Sequence, residues 1–380
     1  MALTLHGTVA DNTAVLDRRS AKPIIINGDM AVAQRGTSFT SQTGVAYHLD
    51  RFEVSAYNVG DGVYRVDQST DVPAGQGFVY SNKISCTTAD TSQDANNQFY
   101  FQTQLEGTAT SLLNYFVASP DTVSIAFWVR SNRTGTHSLA LKLSDNGSVE
   151  NNSATRVYNK LYTISSANTW EKIVCAIPLD SSTSETKVTG TGFAVAVQFW
   201  MGAGTNRDGA AAESWIDTDN TKRAVGQVNL GDSTDNDWSI TGIQLEVGEF
   251  DANSIAPFQH ESFGDNLSRC QRYFCKSYDY DVAAGAANTV VGSIATRNYA
   301  YTGDGSPFIH GDFPVTMRDN PTVTTFDYAG NSGKINGPSN ASITATVYQQ
   351  GMSGFNVLNS SGSSVSGGDY YVNFKAESEL

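Results

Sequence analysis

At 380 residues the chain has room for two cores, and its 34 glycines, 17 tyrosines and 18 phenylalanines argue against a helical protein. A formal net charge of −14 opposes a phosphate backbone, which needs clustered Lys and Arg, and opposes anionic membranes too. No basic run interrupts the sequence, and no apolar segment reaches the roughly 20 residues that span a bilayer.

Residues 1–22 read as an arm, polar and without clean periodicity, either a disordered terminus or an attachment segment that orders on a partner supplying the missing burial. Its opening, Met1-Ala2-Leu3-Thr4-Leu5-His6-Gly7, lacks a basic region followed by an apolar one, so synthesis in a cytoplasm is expected. Pro23 opens an apolar run, Ile24-Ile25-Ile26, that Asn27-Gly28-Asp29 closes. From Tyr47 onward short strands recur between turn formers. His48 to Val54, Val63 to Val66, Gly77 to Ile84 and Gln98 to Thr103 come first, and Val123 to Arg130 is the strongest. Ser138 to Leu143, Lys160 to Ile164, Trp170 to Pro178, Phe193 to Trp200 and Ser239 to Leu245 continue the series. Strands of this length and spacing predict an all-β sandwich and not a parallel α/β sheet.

One segment differs. Ser262-Phe263-Gly264-Asp265 is a helix-capping pattern, with Leu267, Cys270, Gln271 and Phe274 following at helical spacing. It predicts a helix over 262–276, acting as a hinge. Strand texture then returns in Thr289 to Ile294, Phe313 to Val315, Thr322 to Phe326, Ser342 to Tyr348 and Tyr370 to Phe374. A second, smaller β-domain is expected there, with a Ser/Gly loop over residues 360–368. The four cysteines (Cys86, Cys175, Cys270, Cys275) form no Cys-x-x-Cys pair and are expected to be buried thiols.

Several stretches, in order, carry a resemblance. They are Ile26-Asn27-Gly28-Asp29 through Gln34-Arg35-Gly36-Thr37-Ser38, then Asp50-Arg51-Phe52, Ser124 to Arg130 with Gly135-Thr136, and Ala167 to Lys172. Ile240 to Gly248, Pro257-Phe258 and Arg269-Cys270-Gln271-Arg272-Tyr273-Phe274 complete the set. Together they resemble bacteriophage tail-fibre and minor virion proteins in which a jelly-roll module, similar to carbohydrate-binding modules, precedes a Cys-Gln-Arg-Tyr helix. The resemblance implies a jelly-roll β-sandwich, a virion location and a homotrimer. The expected order is a virion-attachment arm (1–22), the carbohydrate-binding-module-like domain (23–258), a linker helix (259–278) and a C-terminal β-domain (279–380). The expected function is a trimeric fibre or adhesin subunit contributing to host-surface glycan attachment. Its partners would be its own copies, other tail or capsid proteins through the arm, and a surface glycan, but no nucleic acid and no membrane. The alternative is a purely structural role as a capsid decoration, head fibre or tail adaptor.

Sugar rings stack their apolar faces on exposed aromatics, and Trp200, Trp215, Trp238 and Tyr57, near loops, are the candidate stacking residues. Phe127 and Trp128 alternate to opposite faces of one strand, with one free to face a concave ligand surface; core packing for both, through a second covering layer, is the plainer reading. Trp170 is also expected in the core. Asp29, Arg35, Asp50 and Arg51 are read as ion-pairing or turn residues. Asp217-Thr218-Asp219 and Asp232 to Asp237 offer oxygen ligands to a structural Ca²⁺ without the EF-hand spacing, and solvated turns are the default there. No cofactor is assigned. With no nucleophile elbow, Walker loop or His-Glu-x-x-His, no enzyme is expected and no catalytic residue is named.

Overall fold

The computed structural model describes residues 22–148, 155–217, 221–226, 229–298, 308–359 and 368–380. The arm expected over residues 1–22 therefore lies outside the described residues except for Lys22. So do Thr218, Asp219 and nearly all of the Ser/Gly loop.

Among the described residues, thirteen strands precede a helix. They are β1 (Ser38–Gln42), β2 (Val45–Tyr47), β3 (Phe52–Tyr57), β4 (Val63–Ser69), β5 (Ser81–Thr88), β6 (Gln98–Glu106) and β7 (Thr122–Ser131). β8 (Gly135–Ser144), β9 (Thr155–Ile164), β10 (Glu171–Pro178), β11 (Phe193–Ala203), β12 (Trp215–Asp217) and β13 (Asp237–Val247) follow. One sheet runs β1-β4-β5-β13-β7-β10 and the other β12-β9-β8-β11-β6-β3-β2, all antiparallel. Alternation decides which side chains meet between them. Ile125, Phe127 and Val129 on β7 point inward with Ile240 and Leu245 on β13, toward Phe99 and Phe101 on β6 and Phe199 on β11. The result is the expected all-β jelly-roll sandwich.

The outer face of the seven-stranded sheet is also covered. Trp200, Tyr100, Ala140 and Val157 pack there under Ala203 and Ala224.

Helix α1 (Phe263–Gln271) is capped by Ser262, whose Oγ accepts from the Asp265 N–H at 3.2 Å. It stops five residues short of the expected end. Phe274–Lys276 forms strand β14 instead, paired with β21 (Gly368–Glu377), so a distant strand partner overrides the local helical spacing. Between them lie β15 (Ile294–Asn298), β16 (Phe308–Asp312), β17 (Thr322–Phe326), β18 (Lys334–Asn336), β19 (Ser342–Tyr348) and β20 (Gly354–Asn359). Strand β21 pairs with β14, β15, β17 and β18, around a core of Cys275, Ile309, Phe355, Val357, Val372 and Phe374. Several expected strands do not form as drawn: residues 48–51 turn ahead of β3, and residues 77–80 stay outside β5. Gly292, at φ +75°, lies so close to the Ser277 carbonyl that no Cβ fits, and β15 starts only beyond it. Residues 313–315, with Pro314 lacking an N–H, stay outside the sheet.

The helix does not behave as a free hinge. Its Asn266 accepts from the Asn27 N–H at 3.2 Å and donates to Asp29 at 3.1 Å, and Cys270 and Tyr273 pack on Ile26 and Val32. The C-terminal tail returns to the sandwich. There Glu379 pairs with buried Arg51 and, at 3.1 Å, with Arg35. Arg51 lies over the Tyr273 ring at 3.5 Å, and Arg272 pairs with Glu106 at 3.1 Å. The expected structural role of Arg35, Asp50 and Arg51 fits these contacts. All four cysteines are buried and unbridged, as expected.

Candidate ligand-binding cleft

The pleat that turns Phe127 inward turns Ala126 and Trp128 outward, onto the outer face of the six-stranded sheet. Gln244 on β13 and Lys172 on β10 share that face, and Lys172 stands directly opposite Trp128 in the β7–β10 register. These residues floor a cleft of about 850 Å³. One end is walled by three rings, Phe78, Phe258 and His260, whose centroids lie 4.9–5.1 Å apart.

The roof is the segment from Phe250 to Phe258, and the sheet holds it by side chains. Gln244 donates its amide to the Ala256 carbonyl at 2.9 Å. Ser124 Oγ donates to the Gly248 carbonyl at 2.9 Å and accepts from the Phe250 N–H at 2.8 Å. Asp251 folds the turn on itself: its carboxylate accepts from the Ser254 hydroxyl at 2.8 Å and from the Ser254 and Asn253 N–H groups, which hold its pKa down. A bulge at Gly242 shapes the floor. Gly242 has φ +65°, and a Cβ there would stand 2.5 Å from the Phe78 ring. The Ile243 N–H donates to the Gly28 carbonyl at 2.9 Å, which ties the Asn27-Gly28-Asp29 turn beneath the bulge.

Trp128 is partly exposed, and among the described residues nothing accepts from its indole N–H. An aromatic face beside amides and one ammonium suits a ligand with an apolar plane and hydroxyl edges. Asp251 is the one carboxylate among the described lining residues, and its Oδ1 is engaged in its own turn. Glycoside hydrolysis by the common mechanism uses two carboxyl groups about 5–10 Å apart, and the described lining carries one.

None of the four candidate stacking residues lines the cleft. Trp238, 1% exposed, points into the sandwich against Phe101 and Phe199, and Trp200, 0% exposed, lies under the loops that cover the other sheet. Neither ring stacks a ligand as expected, because a glycan cannot reach a ring sealed by its neighbours. Trp215 is partly buried, donating to the Pro178 carbonyl at 2.7 Å beside Tyr158. Tyr57 is 51% exposed at the end of β3, away from the cleft. The core reading of Trp128 and of Trp170 is corrected too. Trp170 is partly exposed and donates to Asp71 at 3.0 Å. The signal that finds Trp128 is its alternation with Phe127, read with the outer face left open. The acidic loops have other partners: Asp217 pairs with Arg156, Asp232 with Arg133 and Asp237 with Lys83. Among the described residues no group of three or more His, Cys, Asp or Glu is placed to hold a metal ion.

No family model matches the chain, and no curated protein matches it. Among solved structures, a putative sugar-binding protein from Bacteroides thetaiotaomicron is 10% identical, covering 60% of this chain and all of its own, at a TM-score of 0.31. The family 11 carbohydrate-binding module of Clostridium thermocellum, in complex with a mixed-linked tetrasaccharide, is 10% identical over 57% of this chain and 98% of its own, at 0.28. A CBM22-2 xylan-binding domain from Paenibacillus barcinonensis is 14% identical over 55% and 98%, at 0.28. Scores this low are too faint to bear on the site, which rests on this chain's own side chains.

Proposed function

We propose that the chain is a glycan-binding structural protein, a fibre or adhesin subunit of a bacteriophage virion that works as a homotrimer. The observation that carries the glycan reading is Trp128, an outward ring with an unclaimed N–H on the floor of a roofed, polar-lined cleft. The virion reading is supported by the ordered motifs from Ile26 to Phe274, and the all-β build suits a mechanical part. Weak sites suffice in such an assembly, since several copies per fibre raise the effective concentration steeply.

The test is binding of the purified protein to immobilised bacterial surface polysaccharides, alongside W128A. Wild type is expected to bind and W128A to lose about tenfold or more, in line with the truncation of a buried aromatic anchor. Equal binding by both proteins removes the cleft from the function. No binding by either favours the purely structural role. Light scattering at micromolar concentration is expected to give three times the mass of the chain, and a monomer there sinks the trimer.

A further inference from the structure

On the outer face of the six-stranded sheet, cations come with matching acids. Lys83 pairs with Asp237 at 2.8 Å, Arg65 with Asp67 at 2.7 Å and Arg130 with Asp71 at 3.5 Å. Lys172 breaks this pattern. Its ammonium reaches only the Ala252 carbonyl, at 3.4 Å, and among the described residues no carboxylate pairs with it. Burial alone pushes its pKa down, with no acid nearby to hold it up. Lys187 and Lys276 also lack a carboxylate partner among the described residues, but each donates to two carbonyls, whereas Lys172 has one carbonyl at 3.4 Å and stands on the floor of an open cleft. Asp251, on the roof above, is committed to its own turn. His260 stands with the ring cluster at the end of the cleft.

Position adds the second element. Residues directly opposite in an antiparallel pair have Cα atoms about 4.5–5.5 Å apart. The Lys172 ammonium and the Trp128 ring therefore share one patch about the size of a pyranose. A stacked sugar would lay its apolar face on the indole and turn a substituent toward the ammonium.

We infer that Lys172 marks a subsite for a carboxylate-bearing sugar, a uronate or sialate unit held with its ring on Trp128. A single ammonium without a guanidinium fork suits one negative charge, and a carboxylate brings one. The subsite rests on the glycan reading of the cleft, and supplies the charge that the protein withholds.

The test is an array of uronate- and sialate-bearing glycans, each printed beside its carboxyl-reduced counterpart. Wild type is expected to prefer the acidic member of a pair by about tenfold or more, as a charge-assisted hydrogen bond provides. The preference should shrink as salt rises. K172R is expected to keep it and K172Q to erase it, with melting temperatures compared so that an unfolded variant is recognised. Equal binding of acidic and reduced members overturns the subsite while leaving the cleft a glycan site. Binding to neither member of any pair overturns both.

Discussion

Trp128 and Trp238 sit on neighbouring paired strands, and the pleat separates an outward ring lining the cleft from a core ring. Trp238 fills the interior against Phe101 and Phe199, so W238A should cost about 3–5 kcal/mol in urea unfolding. W128A should cost clearly less while weakening glycan binding by about tenfold or more, and equal losses of stability would put both rings in the core. His48 gives a different kind of prediction. Burial pushes it down to about 4 from an ordinary 6.5, where its ring holds Gln42 at 2.9 Å and meets Phe39 edge-on. As pH falls through that window the unfolded chain takes up the proton and the folded one resists. Stability present above about 6.5 is therefore lost toward 4, by up to about 3 kcal/mol. Buried Asp50, with its pKa raised by burial, acts in the opposite sense, so the difference between wild type and H48Q isolates the histidine. Urea midpoints at pH 7.5 and 4.5 should converge for H48Q and diverge for wild type.

Strand β13 shows how a bulge builds a site. The register between β13 and β7 slips between Thr241 and Gln244, and Gly242 takes φ +65° where Phe78 leaves no room for a methyl. G242A is expected to cost about 1–3 kcal/mol and to tilt Phe78 into the cleft, weakening glycan binding as well. A variant with lowered melting temperature but unchanged affinity would separate the ring wall from the site. The strands themselves were legible because Val123, Ile125, Phe127 and Val129 recur at every second position, whereas in Ser239 to Leu245 the bulge shifts the phase between Ile240 and Ile243. The end of α1 was not, since β14 exists only through pairing with β21, about a hundred residues further on. The cleft's roof was equally hidden. Residues 250–258 carry no periodicity, and their place follows from hydrogen bonds to Ser124 and Gln244 on two other strands. Sequence could thus offer Trp128 as one face of a strand, but not say what covers which face; the same blindness made Trp200 look available.

The two β-units are joined by more than the helix. Glu379, at the tail of the second unit, meets Arg51 and Arg35 of the first, while Arg318 donates to the Ser378 carbonyl at 2.7 Å and to the Thr191 carbonyl at 2.7 Å. Arg51 is fully buried, so its charge depends on that carboxylate and on the Gln104 carbonyl. Breaking one partner of a buried pair costs about 3–5 kcal/mol, because the other is left uncompensated. E379Q should therefore weaken the union more than it weakens either core, whose strands it does not touch. Calorimetry is expected to show one cooperative transition for wild type and two for E379Q, the units melting in turn. A single transition merely shifted downward would mean that α1 and the Arg272–Glu106 pair hold the units together unaided. In the fibre subunit proposed above that coupling would matter, since force applied at one unit reaches the other only through contacts that persist.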